Sequence, residues 1–312
     1  MKINKIFFCL ACFLFTSSVA AQSIFDHKLK DNFEKPRSTF WAPLASVLLP
    51  GMDQWWEKQW SSAGIYSGMA ISGYTIMLGT ARKDEFGKSE YPDLGDINDL
   101  AEWGDRERKF ILGGQLVQVA GSLSAYQSFR TAAHSHGSKY NFLPKNEDTG
   151  DILLAPFKFE HLLRPTTYIP LSIFALLVSL DYSGLDNPTS INIDDSGLIG
   201  AMSYGAGTGE EAMFRGWLMP MFYEKMDNYF WSNTTTAALF GAAHLSSYNQ
   251  LPIGQTLIGW YLGWVTQRNG WSVQESVFIH AWWDVIAFSY AYFNSNSDKE
   301  AYLALPPFRM SF

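Results

Sequence analysis

Cysteine is almost absent from this sequence. Two occur among 312 residues, Cys9 and Cys12, both near the N-terminus. They make neither a disulfide framework nor a plausible zinc site, and a mature chain freed of its leader would have no thiol chemistry. Basic charge is also short: 23 Lys and Arg stand against 30 Asp and Glu, a net charge of −7. Phosphate binding needs a basic patch, so nucleic acid is excluded as a partner. The chain has no G-x-S-x-G elbow and no H-E-x-x-H pair, which sets aside the serine hydrolases of that type and the zincins. Internal repeats and low-complexity tracts are missing too.

Charge itself is missing from several long stretches. Mean hydropathy is −0.07, an average that hides this segregation. Residues 63–81 and 110–129 hold no Asp, Glu, Lys or Arg. Runs of that length suit membrane-spanning helices, and their small residues let helices approach closely in lipid. Residues 82–109 between them are densely charged and must be solvated. Aromatic residues make up 16% of the chain, with 12 Trp, which fits interfacial belts. Trp55, Trp56 and Trp60 surround Glu57 and Lys58 as on a short helix lying at an interface.

Residues 1–21 read as a cleavable signal peptide. Lys2 and Lys5 supply the positive start, residues 6–15 the apolar core, and Val19-Ala20-Ala21 the small residues before a cut. The chain then divides into a polar and interfacial N-terminal segment (22–62), N-terminal membrane helices with charged loops (63–196), a C-terminal domain (197–293) and a tail (294–312). Within 130–165, His134, His136 and His161 read as loop residues, because no acidic or thiol partner recurs nearby at ligand spacing. Residues 168–180 are apolar but short, and the acidic stretch 181–195 reads as a loop. Four apolar segments follow, 197–223, 232–248, 253–265 and 273–293, with short connections that imply antiparallel neighbours. The expected fold class is all-α: a polytopic integral membrane helical bundle behind a cleavable N-terminal signal peptide.

Three small polar sets interrupt those last segments. The first is Glu210-Glu211-x-x-x-Arg215. Glu211 and Arg215 are four apart with the acid first, the favourable order for a helical ion pair, and pairing reduces the cost of burying both. Glu210 is rotated about 100° away on the helix, with no local base. An unpaired carboxylate in apolar surroundings is suited to general base work. The plain structural alternative puts both glutamates at a helix start in water, behind a flexible lead-in of Gly205, Gly207 and Gly209. The second set is Phe240-x-x-x-His244, sharing one face, with small residues between. The third is His280-x-x-x-Asp284, where an i,i+4 acid can fix an imidazole tautomer or form half of a metal site. Each alone has a bland packing explanation. Together, on neighbouring apolar segments, they hold what is needed to activate water and stabilise an oxyanion.

These three motifs resemble the signature of the CAAX protease and bacteriocin-processing family of intramembrane proteases, the type II CAAX prenyl endopeptidases, over residues 197–293. The resemblance implies an intramembrane endopeptidase with its site between helices. Glu210 with His244 would activate the attacking water. Glu211 and Arg215 would shape and neutralise the site, and His280 and Asp284 would bind the oxyanion or orient its donor. Family members often have Asn where this chain has Asp284. An ionised Asp cannot donate a hydrogen bond, which assigns Asp284 to orienting His280. Both a metalloprotease and a metal-free glutamate protease remain open; Glu210, His244 and His280 are the candidates for a divalent metal such as zinc. The expected partners are membrane lipid and a peptide or membrane-protein substrate, and the expected location is a multi-pass position in a bacterial inner membrane. Two other classes would use the same residues differently: a proton-coupled membrane transporter, or a non-catalytic membrane scaffold or immunity protein.

Overall fold

The computed structural model describes residues 36–94, 97–182, 190–246, 251–294, 303–305 and 308–310. The expected signal peptide at 1–21, and residues 22–35 after it, lie outside them. The described chain is mainly helical, as an all-α fold requires. Its helices are α1 (Trp41–Leu48), α2 (Met52–Trp56), α3 (Trp60–Leu78), α4 (Asp105–Ser135), α5 (Thr149–Leu154), α6 (Pro165–Tyr182), α7 (Ile193–Met213), α8 (Met219–Met226), α9 (Tyr229–Ala243), α10 (Ile253–Arg268) and α11 (Gln274–Asn294). Two short antiparallel hairpins complete it. β1 (Arg82–Lys83) pairs with β2 (Ser89–Glu90) inside the charged stretch, and β3 (Leu303–Leu305) pairs with β4 (Phe308–Met310) in the tail.

α4 is the long central element. Its 31 residues extend beyond the uncharged run 110–129 at both ends. Asp105 and Glu107 lie in its first turn, where carboxylates complement the helix dipole, and it stops before Gly137, which takes a φ of 61°. α3, α1 and α7 all pack along it. α3 and α4 cross where two glycines meet: a Cβ on Gly113 would lie 2.7 Å from the Gly73 carbonyl oxygen, so only glycine permits that approach.

The four C-terminal segments form the helices expected of them, with boundary changes that have local causes. The stretch 181–195 is not wholly loop, because α7 begins at Ile193. Asn192 caps it by accepting from the backbone N–H of Asp194 and Asp195, while Asp195 reaches back in a capping box. The segment 232–248 ends early as a helix: α9 stops at Ala243, and His244 is the residue that terminates it. Between α7 and α8, residues Phe214–Leu218 form one π-turn, with Pro220 just inside α8.

Among the described residues no helix is long and apolar enough to cross a membrane. The expected spans 63–81 and 110–129 are helical, yet Gly, Ser, Thr and Gln hold their hydropathy down. α7 similarly carries Ser, Thr, Gly and two glutamates in its length. Many of those polar residues face inward, among them Ser62, Ser122, Ser124, Gln127, Ser128, Ser203 and Thr208, whereas large apolar side chains face outward. Ile71, Ile76 and Leu78 of α3, Ile169, Ile173, Leu176 and Leu180 of α6, and Ile253, Leu257 and Trp260 of α10 are all exposed.

The N-terminal half also anchors the start of α11. Glu147, in the loop before α5, is buried and accepts from the Ser272 hydroxyl, the Val273 backbone N–H and Gln274 Nε2. An anion there satisfies orphan donors at a helix start. Burial pushes the Glu147 carboxyl upward, although its hydrogen bonds to Ser272 and Val273 oppose that. In the first turn of α11, Glu275 accepts from Arg164, Thr166, Thr167 and Asn269. His161 is not a solvated loop residue. It is 3% exposed, packs on Phe278 and has no hydrogen-bond partner for either ring nitrogen. Burial lowers its pKa. The stretch 130–165 gives no sequence sign of this, because a short turn of helix, Phe159–Leu163, folds it under α11.

Candidate active site

α7 reaches its neighbours through glycine. Gly205, Gly207 and Gly209 lie within the helix, not in a flexible lead-in. Gly207 faces α11: a Cβ there would come within 2.8 Å of the Ala281 Cβ and backbone nitrogen. Gly209 faces α4, with Val119 3.4 Å from where its Cβ would be. The three helices therefore meet with their backbones close together just before Glu210 and Glu211. That contact places the two carboxylates inside the bundle and overturns the reading in which they sit in water.

Glu211 is the locked member of the pair. It is fully buried, and Arg215, one turn on, is 1% exposed. Arg215 Nη1 donates to Glu211 Oε1 at 2.6 Å, and Arg215 Nη2 donates to the Gly259 carbonyl of α10 at 2.8 Å. The guanidinium lies over the Phe240 ring of α9, 4.4 Å from its centroid, a cation–π arrangement. Gly259 is needed for this: a Cβ there would lie 3.0 Å from Arg215 Nη2 and 2.9 Å from the Phe240 ring. Glu211 Oε1 also lies 2.8 Å from His280 Nδ1. A carboxylate can only accept, so Nδ1 carries the proton and His280 Nε2 faces away from Glu211.

Glu210 points into the remaining space. Its Oε2 has no hydrogen-bond partner, but it lies 3.7 Å from His244 Nε2 and 3.9 Å from His280 Nε2. His280 Nε2 is in turn 3.6 Å from Asp284 Oδ2. His244 Nδ1 is 2.8 Å from the Phe240 carbonyl oxygen. Since that oxygen accepts, Nδ1 donates, and His244 presents a bare Nε2 towards Glu210. The end of α9 at Ala243 makes this possible, because the terminating residue can turn its ring back over the last helical turn. His244 is also the most open of the group, with 31% of its side chain exposed.

All six residues singled out in the sequence thus converge, with one change in how they are held. The i,i+4 spacing pointed to Asp284 as the group orienting His280. In the structure Glu211, from a different helix, holds Nδ1, and Asp284 stands beside Nε2. Sequence reasoning also passed over Gln118 of α4, whose Nε2 donates to Glu210 Oε1 at 3.3 Å. A glutamine inside an uncharged helical run is the one signal that would have pointed to it. Among the described residues, no group of three or more His, Cys, Asp and Glu side chains is arranged to hold a metal ion. For the candidates Glu210, His244 and His280, separations of 3.7 and 3.9 Å exceed the edge of roughly 3.4 Å expected between ligands of one tetrahedral zinc. As arranged here they do not fit one.

No curated protein and no solved structure matches the chain. A family comparison does find a match, and it supports a protease, and so a hydrolase, of a membrane-associated kind. Residues 195–286, a stretch that encloses all three polar motifs, match the family described as type II CAAX prenyl endopeptidase Rce1-like.

Proposed function

We propose that this protein is an endopeptidase that hydrolyses peptide bonds of membrane-associated peptides or proteins, using water activated by Glu210 and His244. The observation that carries the reading is the contrast between adjacent carboxylates. Glu211 is tied through Oε1 to Arg215 and His280, while Glu210 turns its Oε2 towards two imidazole nitrogens, His244 Nε2 at 3.7 Å and His280 Nε2 at 3.9 Å. Two acceptors at that spacing suit the two protons of one water. With hydrogen bonds of about 2.8 Å, they subtend roughly 80° at its oxygen. The water's lone pair is then directed away from both, towards a substrate carbonyl.

In this reading the water oxygen bonds to the carbonyl carbon as Glu210 takes its proton. His280, protonated on both nitrogens, keeps its Nδ1 bond to Glu211 and donates from Nε2 to the oxyanion. Asp284, beside Nε2, favours that cationic form by its charge. Collapse of the tetrahedral intermediate breaks the C–N bond, and Glu210 returns the proton to the leaving amine. Arg215 neutralises Glu211, so that it does not compete for the water's proton.

The large apolar side chains exposed on the outward faces of α3, α6 and α10 support a bundle seated in lipid. Whole-helix hydropathy averages these faces with the polar interior that the site requires. A multi-pass protein of the bacterial inner membrane is the corresponding location.

The test is cleavage of a membrane-proteome-derived peptide library by the detergent-purified protein, with new termini read by mass spectrometry. Wild type would cleave, whereas Glu210→Ala and His244→Ala would fold and not cleave. Turnover by Glu210→Ala would refute the assignment. A chelator arm reports whether a metal takes part. Substrate flux driven by a pH gradient, without cleavage, would instead favour a transporter.

A further inference from the structure

We propose that Gln118 is a positioning residue for Glu210, and that the N-terminal half of the chain thereby completes the active site. The inference rests on the peptidase reading above. Gln118 lies on α4, outside the stretch 195–286 that matches the family.

A carboxylate turns easily about its last torsion, which is broad and roughly two-fold. Glu210 needs one oxygen kept towards His244 Nε2 and His280 Nε2, and no residue of α7 holds it there. Gln118 Nε2 donates to Oε1 at 3.3 Å, which leaves Oε2 as the oxygen that faces both imidazoles. The bond is at the long end of the range, so its effect is orientation more than charge stabilisation. The backbone contact of α4 with α7 at Gly209 and Val119 sets its reach. Gln118 is therefore held by helix packing, and through it the rotation of Glu210 is tied to the packing of α4 on α7.

Loss of the donor should lower turnover without weakening substrate binding, because Gln118 acts through Glu210. Gln118→Met keeps the length and removes the N–H; kcat should fall about tenfold, as for loss of one hydrogen bond to a charged group, with KM changing less than twofold. Gln118→Glu supplies a donor only while protonated. Its activity relative to wild type should rise as pH falls, a dependence that a packing role would not produce.

Placement is tested without activity. In the full chain with Cys9 and Cys12 replaced by Ser, the pair Gln118→Cys and Glu210→Cys should cross-link on oxidation or with a short bifunctional thiol reagent. The pair Glu107→Cys and Glu210→Cys, about 16 Å further along α4, should not. Failure of the first pair to cross-link overturns the proposal whatever the kinetics. Cross-linking with an active wild type, an inactive Glu210→Ala and an unimpaired Gln118→Met overturns the proposal alone and leaves the peptidase reading standing. Cleavage by Glu210→Ala, or none by wild type, removes the peptidase reading and the positioning role with it.

Discussion

Arg215→Met isolates what holds the site together. Arg215 and Glu211 are 1% and 0% exposed and 2.6 Å apart. Their burial is tolerable only because each compensates the other. Removing one member of a buried pair leaves an uncompensated charge and costs about 3–5 kcal/mol. The Gly259 carbonyl loses its donor as well, at about 1 kcal/mol. Glu211 keeps His280, which offsets part of the loss, so a net cost of about 4 kcal/mol is expected. Against a total stability of about 5–15 kcal/mol that is severe, and should lower Tm by roughly 10 °C. Adding Glu211→Gln removes the stranded charge while leaving an oxygen for His280 Nδ1. The double variant should regain about 2 kcal/mol or more, with turnover still lost. Thermal unfolding in one detergent, followed by circular dichroism for all four proteins of the cycle, gives the coupling directly. Additive single effects, or an Arg215→Met protein melting within 2 °C of wild type, would refute the buried pair.

Three further outcomes follow from the same packing. Gly207→Ala gains about 1 kcal/mol of helix propensity, but its methyl group meets Ala281 and overpacking costs about 1–3 kcal/mol. Tm should fall and cleavage should slow as His280 is pushed from Glu211, whereas a raised Tm would show that α7 and α11 do not touch there. Glu147 has a raised pKa, so the native state holds its proton where the unfolded chain has lost it. Stability should decline as pH rises from the ordinary carboxylate value through the raised one; Glu147→Gln should flatten that limb of a Tm–pH profile, and an unchanged slope would count against it. His161 has a lowered pKa, so the native state resists protonation and its stability falls as pH drops below the ordinary histidine value. His161→Phe should melt a few degrees above wild type near pH 5.5 and close to it at pH 8; no difference between the two pH values would contradict burial of the neutral ring.

The sequence by itself determined the helical class, the four C-terminal helices and the six polar residues that the fold brings together. Local physics reaches that far: uncharged runs of helical length, short connections between apolar segments, and an acid–base pair four apart are all read along one segment. It did not determine what those residues meet. The hold of Glu211 on His280 and the donation from Gln118 to Glu210 join residues 69 and 92 apart in sequence. Hydropathy along one helix also cannot separate an inward polar face from an outward apolar one. Only the packing of α4, α7 and α11 through Gly207 and Gly209 decided which carboxylate is locked by Arg215 and which faces the imidazoles of His244 and His280, because close approach of backbones fixes where each side chain ends.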